Sequence, residues 1–112
     1  MSRPSNELLH GTLDVLILKA VVDAPRHGYD IVRHISATTG GTVAVEDGSL
    51  YPALYRLERK GHIKGAWGIS EAGRRARFYA LTPAGRKALV TQTDAWAKFA
   101  AGVSKLLLGE SQ

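Results

Sequence analysis

Gly48-Ser49-Leu50-Tyr51-Pro52-Ala53-Leu54-Tyr55-Arg56-Leu57-Glu58-Arg59-Lys60-Gly61 is the stretch on which the fold turns. Leu50, Leu54 and Leu57 recur at spacings of four and three, which places them on one face of a helix. Ser49 is a suitable N-cap, Pro52 falls where first-turn N–H groups lack partners, and Gly61 suits the stop. A helix is therefore expected over Ser49 to Lys60, with Tyr51, Tyr55, Arg56 and Arg59 away from the leucine face. Downstream, His62 to Ile69 and Ala76 to Leu81 read as strands, and Ser70 to Arg75 between them is turn-rich. Thr82 then caps a helix with Pro83 at its first position, extending to about Leu108 with a soft point at Gly102. Helix, hairpin with a cationic tip, helix: this is the order a chain needs to put one helix in a DNA major groove and a wing beside it.

Upstream, Leu9, Leu13, Leu16, Ile17, Ala20 and Val21 form a helical stripe within Leu8 to Val22, and Pro25 ends that helix at Asp23-Ala24. A second helix is expected from Gly28 to Thr38, stopped by Gly40-Gly41. Thr42 to Glu46 reads as a short strand or an extended linker. The fold class is α+β, mostly α: a winged helix-turn-helix over residues 1–82, with a long C-terminal dimerisation helix over 83–112 in the same compact unit.

Charge follows the motif. Arg56, Arg59, Lys60, Lys64, Arg74, Arg75, Arg77, Arg86 and Lys87 face only Glu58 and Glu71 over residues 56–87, nine minus two, or +7. The whole chain carries +5, so the remainder is net −2. Local basicity points to a polyanion partner. Backbone N–H groups at the start of the Ser49 helix can hold a phosphate, and Ser49, Tyr51 and Tyr55 can reach phosphates or base edges. Arg74 and Arg75, with Arg77 just behind, suit a wing that enters a minor groove or straddles phosphates. Arg56 and Lys64 belong to the same cationic set. Taken alone, the helix also reads as an ordinary amphipathic surface helix, and the arginine doublet as a solvated turn. It is their order along the chain that favours recognition.

Composition excludes other classes. At 112 residues and 45% hydrophobic, the chain supports one domain with one core. It has no cysteine, which removes disulfides, thiol nucleophiles and Cys-based zinc sites together. No apolar run approaches the ~20 residues of a membrane span, and no secretory segment is evident, so a reduced, cytoplasmic setting is expected. His10, His27, His34 and His62 lack metal-ligand spacing, and no nucleophile–base set or phosphate-cradling glycine loop is present. Neither an enzyme nor a cofactor is expected.

His27-Gly28-Tyr29-Asp30-Ile31, the Gly48 to Gly61 block, and Trp67-Gly68 through Arg74-Arg75-Ala76-Arg77-Phe78-Tyr79-Ala80-Leu81-Thr82-Pro83-Ala84-Gly85-Arg86 together resemble the PadR family of bacterial transcriptional regulators, over about residues 7 to 95. The single C-terminal helix is similar to the family's short subfamily. The resemblance implies a homodimeric winged-helix repressor that releases DNA when a small aromatic or cationic compound binds. Its DNA contacts would fall on Tyr29, Ser49, Tyr51, Tyr55 and the wing arginines. Ser49 stands where threonine is frequent, and the hydroxyl is kept.

The last helix reads independently as a pairing surface. Leu89, Trp96, Phe99, Val103, Leu106 and Leu107 recur at spacings of three, four and seven, a stripe longer than so small a domain covers from within. Trp96 and Phe99, with Leu9 and Asp14 of the first helix opposite, could line a pocket for a planar effector. Trp96 reads equally as an interface anchor with no ligand. A winged helix used for protein contact without DNA is the alternative function, and the arginine-rich wing speaks against it.

Overall fold

Among the described residues, four helices and a three-stranded antiparallel sheet follow one another as α1 (Leu13–Ala20), β1 (Arg26–His27), α2 (Gly28–Thr38), α3 (Asp47–Arg59), β2 (Ile63–Ile69), β3 (Arg75–Leu81) and α4 (Pro83–Leu108). They belong to a computed structural model that describes residues 11–109.

The first helix is shorter than the sequence suggests. Gly11 sits at φ 91°, a left-handed conformation that glycine adopts without strain, and α1 begins after it at Leu13; the expected start at Leu8 lies outside the described residues. At the other end α1 stops at Ala20 rather than Asp23, because the Arg26 Nε–H donates to the Ala20 carbonyl at 2.7 Å. The same guanidinium pairs with Asp30 at 3.0 Å, tying the end of α1 to the start of α2.

The α3 boundary is also corrected. The helix begins at Asp47, and the Glu46 carbonyl accepts from the N–H groups of Ser49 and Leu50 at 2.9 Å each. Ser49 is thus the third helical residue rather than the cap. Pro52 lies in the second turn, with no N–H to offer the Gly48 carbonyl four residues back. Thr42 to Glu46 forms no strand. It is a linker pinned by Val45, which is 6% exposed.

The wing is a hairpin in which Ile63 faces Leu81, Trp67 faces Arg77 and Ile69 faces Arg75. The two residues of β1 add a third strand on the far side of β3, Arg26 opposite Tyr79 and His27 opposite Phe78. Nothing in the sequence announces β1, since two residues cannot show an alternation. The tip closes at Ser70 to Arg74, where the Ser70 N–H donates to the Arg74 carbonyl at 2.8 Å and Gly73 takes φ 78°.

One core unites the elements. Ile17, Leu18 and Val21 meet Ile31 and Ile35 of α2, the α3 face Leu50, Ala53, Leu54 and Leu57, and Ile63 and Tyr79 from the wing base. Each fully buried leucine or isoleucine contributes about 1.5–3 kcal/mol. Thr82 caps α4 as expected, its Oγ1 accepting from the Gly85 N–H at 3.0 Å while its own hydroxyl donates to the Gly61 carbonyl at 2.6 Å. Gly85 packs against the His62 carbonyl so closely that no side chain would fit. The wing base and α4 are thereby locked together. Beyond this root α4 packs against α1 and runs unbroken through Gly102 to Leu108.

Candidate nucleic-acid interface

The two faces of α3 differ sharply. Leu50, Leu54 and Leu57 are at most 1% exposed, while Tyr51 and Tyr55 are 52% and 65% exposed. Tyr55 carries the Arg59 guanidinium 5.8 Å from its ring centroid. On α2, Tyr29 is equally open, with the Arg33 guanidinium 5.5 Å from its ring. These four residues repeat one device, a tyrosine followed four positions later by an arginine on the next helical turn.

The two helices meet at Gly28. A Cβ there would lie 3.0 Å from the Tyr51 hydroxyl, so the glycine lets the α3 tyrosine lie across the start of α2. His27 caps that start. Its Nδ1 accepts from the Asp30 N–H at 3.2 Å, which requires the lone pair there and leaves the ring proton on Nε2. The imidazole stacks on Tyr29 at 6.4 Å and meets Phe78 of β3 edge-on at 5.3 Å. His27 thus joins helix start, exposed tyrosine and sheet.

The wing presents Gly65, Trp67 and Ile69 of β2 on the same face as Tyr79, Arg77 and Arg75 of β3. Trp67 is 59% exposed, with the Arg75 guanidinium over its ring at 4.5 Å. Arg77 lies between Trp67 and Tyr79, 5.9 and 6.0 Å from their centroids. Its Nη2 donates to Glu58 Oε2 of α3 at 2.6 Å, and the Gly65 N–H donates to the same oxygen at 3.2 Å. The hydrogen bond to Glu58 holds the Arg77 guanidinium above its ordinary pKa, against a smaller lowering by desolvation. Burial pushes the Tyr79 phenol up, opposed by Arg77 beside it.

The expected site residues therefore separate into two kinds. Tyr29, Ser49, Tyr51, Tyr55, Lys64, Arg74 and Arg75 are exposed on α2, α3 and the wing. Arg56 and Arg77 instead hold carboxylates of their own chain. The Arg56 Nη2 meets Asp14 at 2.8 Å, its side chain still half exposed, and Arg77 meets Glu58. Arg33 and Arg59 join the site although sequence reasoning did not single them out as contacts. Their signal lay in the sequence, four residues after Tyr29 and Tyr55.

Around α4, Trp96 and Phe99 are 51% and 69% exposed, and Leu106 and Leu107 more so. Leu89 is buried and Val103 half-buried. Asp14, expected across from Phe99, is engaged with Arg56, and Leu9 lies outside the described residues. An apolar cleft of about 620 Å³ does occur on α4, but over its first turns, between Leu81, Pro83, Val90 and the stems of Arg86 and Lys87. Among the described residues no group of three or more acids and histidines could hold a metal, and no helix is long and apolar enough to cross a membrane.

Residues 17–91 match the family model described as the transcriptional regulator PadR-like family. The chain is 31% identical over 94 residues to an uncharacterized protein of Lysinibacillus sphaericus, covering 83% of this chain and 85% of that one. Among solved structures, a transcriptional regulator from Clostridium thermocellum superposes with a TM-score of 0.81 at 28% identity, over 90% of this chain and 98% of that one. A PadR-like transcriptional regulator from Bacillus cereus gives 0.76 at 27% identity, over 93% and 99%. These solved relatives are regulators, not enzymes.

Proposed function

Because this chain belongs to the PadR-like family of transcriptional regulators, we propose that it is a repressor that binds a palindromic operator as a homodimer and lets go when a small planar ligand binds. The observation that carries the DNA reading is the interleaving of tyrosine and arginine over α2 and α3, continued by an exposed arginine pair on the wing. Cations supply phosphate affinity, and hydroxyls and rings supply contacts to sugar and base edges.

What supports pairing is α4. Its 26 residues span about 39 Å at 1.5 Å per residue, and its second half exposes Trp96, Phe99, Leu106 and Leu107. A contiguous apolar surface of this kind is what a second subunit covers. Two such chains would set their α3 helices about 34 Å apart, one turn of duplex. At that axis Trp96 and Phe99 offer flat surfaces on which a planar effector can stack, and a shift between the paired helices would change the spacing of the reading heads. The DNA it controls puts the protein in the cytoplasm.

The test is titration of the DNA upstream of its own gene, against a random duplex of equal length, over a range of salt. A repressor prefers the upstream fragment and loses affinity steeply as salt rises. Equal, weak binding to both duplexes would leave a protein-contact module as the better account. A Trp96→Ala protein should keep the DNA preference and lose the response to any ligand that relieves repression.

A further inference from the structure

Glu58 is an acid at the end of a helix read as DNA-binding, in a segment otherwise almost wholly cationic, and this is a puzzle if charge alone matters. An anion near phosphates lowers affinity, so its removal should tighten binding. The geometry gives it another task. One carboxylate oxygen, Oε2, receives the Gly65 N–H of β2 at 3.2 Å and the Arg77 guanidinium of β3 at 2.6 Å. Both strands of the wing are thus fastened to the last turn of α3 at a single atom.

From that atom a ladder of alternating rings and cations runs outward along one face of the hairpin. Tyr79 is buried at its foot, 8% exposed. Arg77 stands above it, Trp67 next, and Arg75 closes the outer end at 4.5 Å from the indole. Gly65 makes room for it. A Cβ at that position would lie 2.5 Å from Arg77 Nε and 2.8 Å from its Cζ, so any side chain there would drive the guanidinium out of line. A charge-assisted bond, a glycine that only close approach requires, and guanidinium groups set over rings all serve the placement of Arg75.

We infer that Glu58 is the positioning residue of the wing: through Arg77 and Trp67 it fixes the angle between hairpin and α3 and holds Arg75 ready for the duplex. It touches no DNA itself. The inference rests on the DNA-binding reading above and adds to it how the two halves of the reading head are kept in register. An arginine already stacked loses less side-chain freedom when it meets a phosphate, so the clamp raises affinity although it contributes a negative charge.

The test compares Glu58→Ala, Glu58→Gln and Gly65→Ala with the unaltered protein on the upstream and random duplexes, with Glu71→Gln on the wing tip as a pure charge control. Glu71→Gln should bind slightly more tightly. Glu58→Ala, which removes the same charge, should bind the upstream duplex about tenfold more weakly, and Gly65→Ala should weaken it likewise. Glu58→Gln, whose amide oxygen still accepts both bonds, should stay within about threefold of the unaltered protein. A second readout needs no DNA. In a Trp96→Phe background Trp67 is the sole tryptophan, and Glu58→Ala should shift its emission and increase its quenching by acrylamide, while Glu58→Gln should not. Tighter or unchanged binding by Glu58→Ala together with unchanged Trp67 emission would overturn the inference. Should Glu58→Ala not fold, Gly65→Ala decides: unaltered affinity and emission there would overturn it equally. If the unaltered protein shows no preference for the upstream duplex, it is the DNA reading that fails, and Trp67 emission still judges the clamp.

Discussion

Two surfaces of this molecule expose large aromatic side chains, and they are built on opposite plans. Over α2, α3 and the wing, Tyr29, Tyr55 and Trp67 each carry an arginine on the ring. Along the second half of α4, Trp96, Phe99, Leu106 and Leu107 stand open, and the ion pair of Lys98 with Asp94 runs along the helix's own surface at 3.3 Å. Exposed rings are therefore not one signal. Interleaved with cations, they suit a ligand that is anionic and flat-edged. Set among leucines, they suit another apolar surface. The first plan tolerates solvent in the free protein, whereas the second costs hydration until something covers it.

Disrupting the apolar plan should have the largest effect. Leu106→Asp with Leu107→Asp places charge where the second subunit is proposed to sit. Sedimentation should then show a monomer, and operator affinity should fall about 100-fold or more, since two linked contacts become one. A dimer that survives both changes would move the interface elsewhere on the chain. The cationic plan comes next. Arg74→Ala with Arg75→Ala should weaken binding to all sequences about tenfold, and the log–log salt slope should fall by about one for each lost phosphate contact. Tyr55→Ala should do the reverse in kind: a milder loss, about fivefold, confined to the preferred duplex.

The smallest effects fall on the ion pairs. Asp14→Asn frees Arg56, whose side chain is half exposed, so stability should change by about 0–1 kcal/mol. DNA affinity should hold or rise, since a guanidinium is released. The wing base is probed separately by pH. Burial raises the Tyr79 phenol in the folded protein, so the neutral ring is favoured there. Its contribution to stability is full below the unfolded value of about 10 and is lost as pH climbs through the folded one. Urea unfolding should show no change from this group near neutrality and a decline above about pH 10.

Much of this architecture is written locally. The leucine spacing of α3, the glycine after it, the β-formers of Phe78 to Leu81 and the Thr82-Pro83 helix start each act within a few residues, and the structure follows them. What could not be read depends on distant partners. Two residues of β1 are a strand only because β3 receives them. Ser49 looks like a cap by type, but the Glu46 carbonyl had already begun the helix. The sharpest case is charge. Nine cations within residues 56–87 read alike, yet Arg56 finds Asp14 forty-two residues away and Arg77 finds Glu58 nineteen away. Counting charges identifies the partner class, while geometry decides which cations remain free to meet it.

If two reading heads pair through α4 as proposed, they should leave their symmetry on the DNA they choose. Selection of tightly bound duplexes from a random-sequence library exposes that symmetry whatever the operator's sequence. Enrichment of an inverted repeat is expected, with half-site centres about 10 base pairs apart or a multiple of that. Recovery of a single unrepeated element, or no enrichment at modest salt, would refute the paired arrangement.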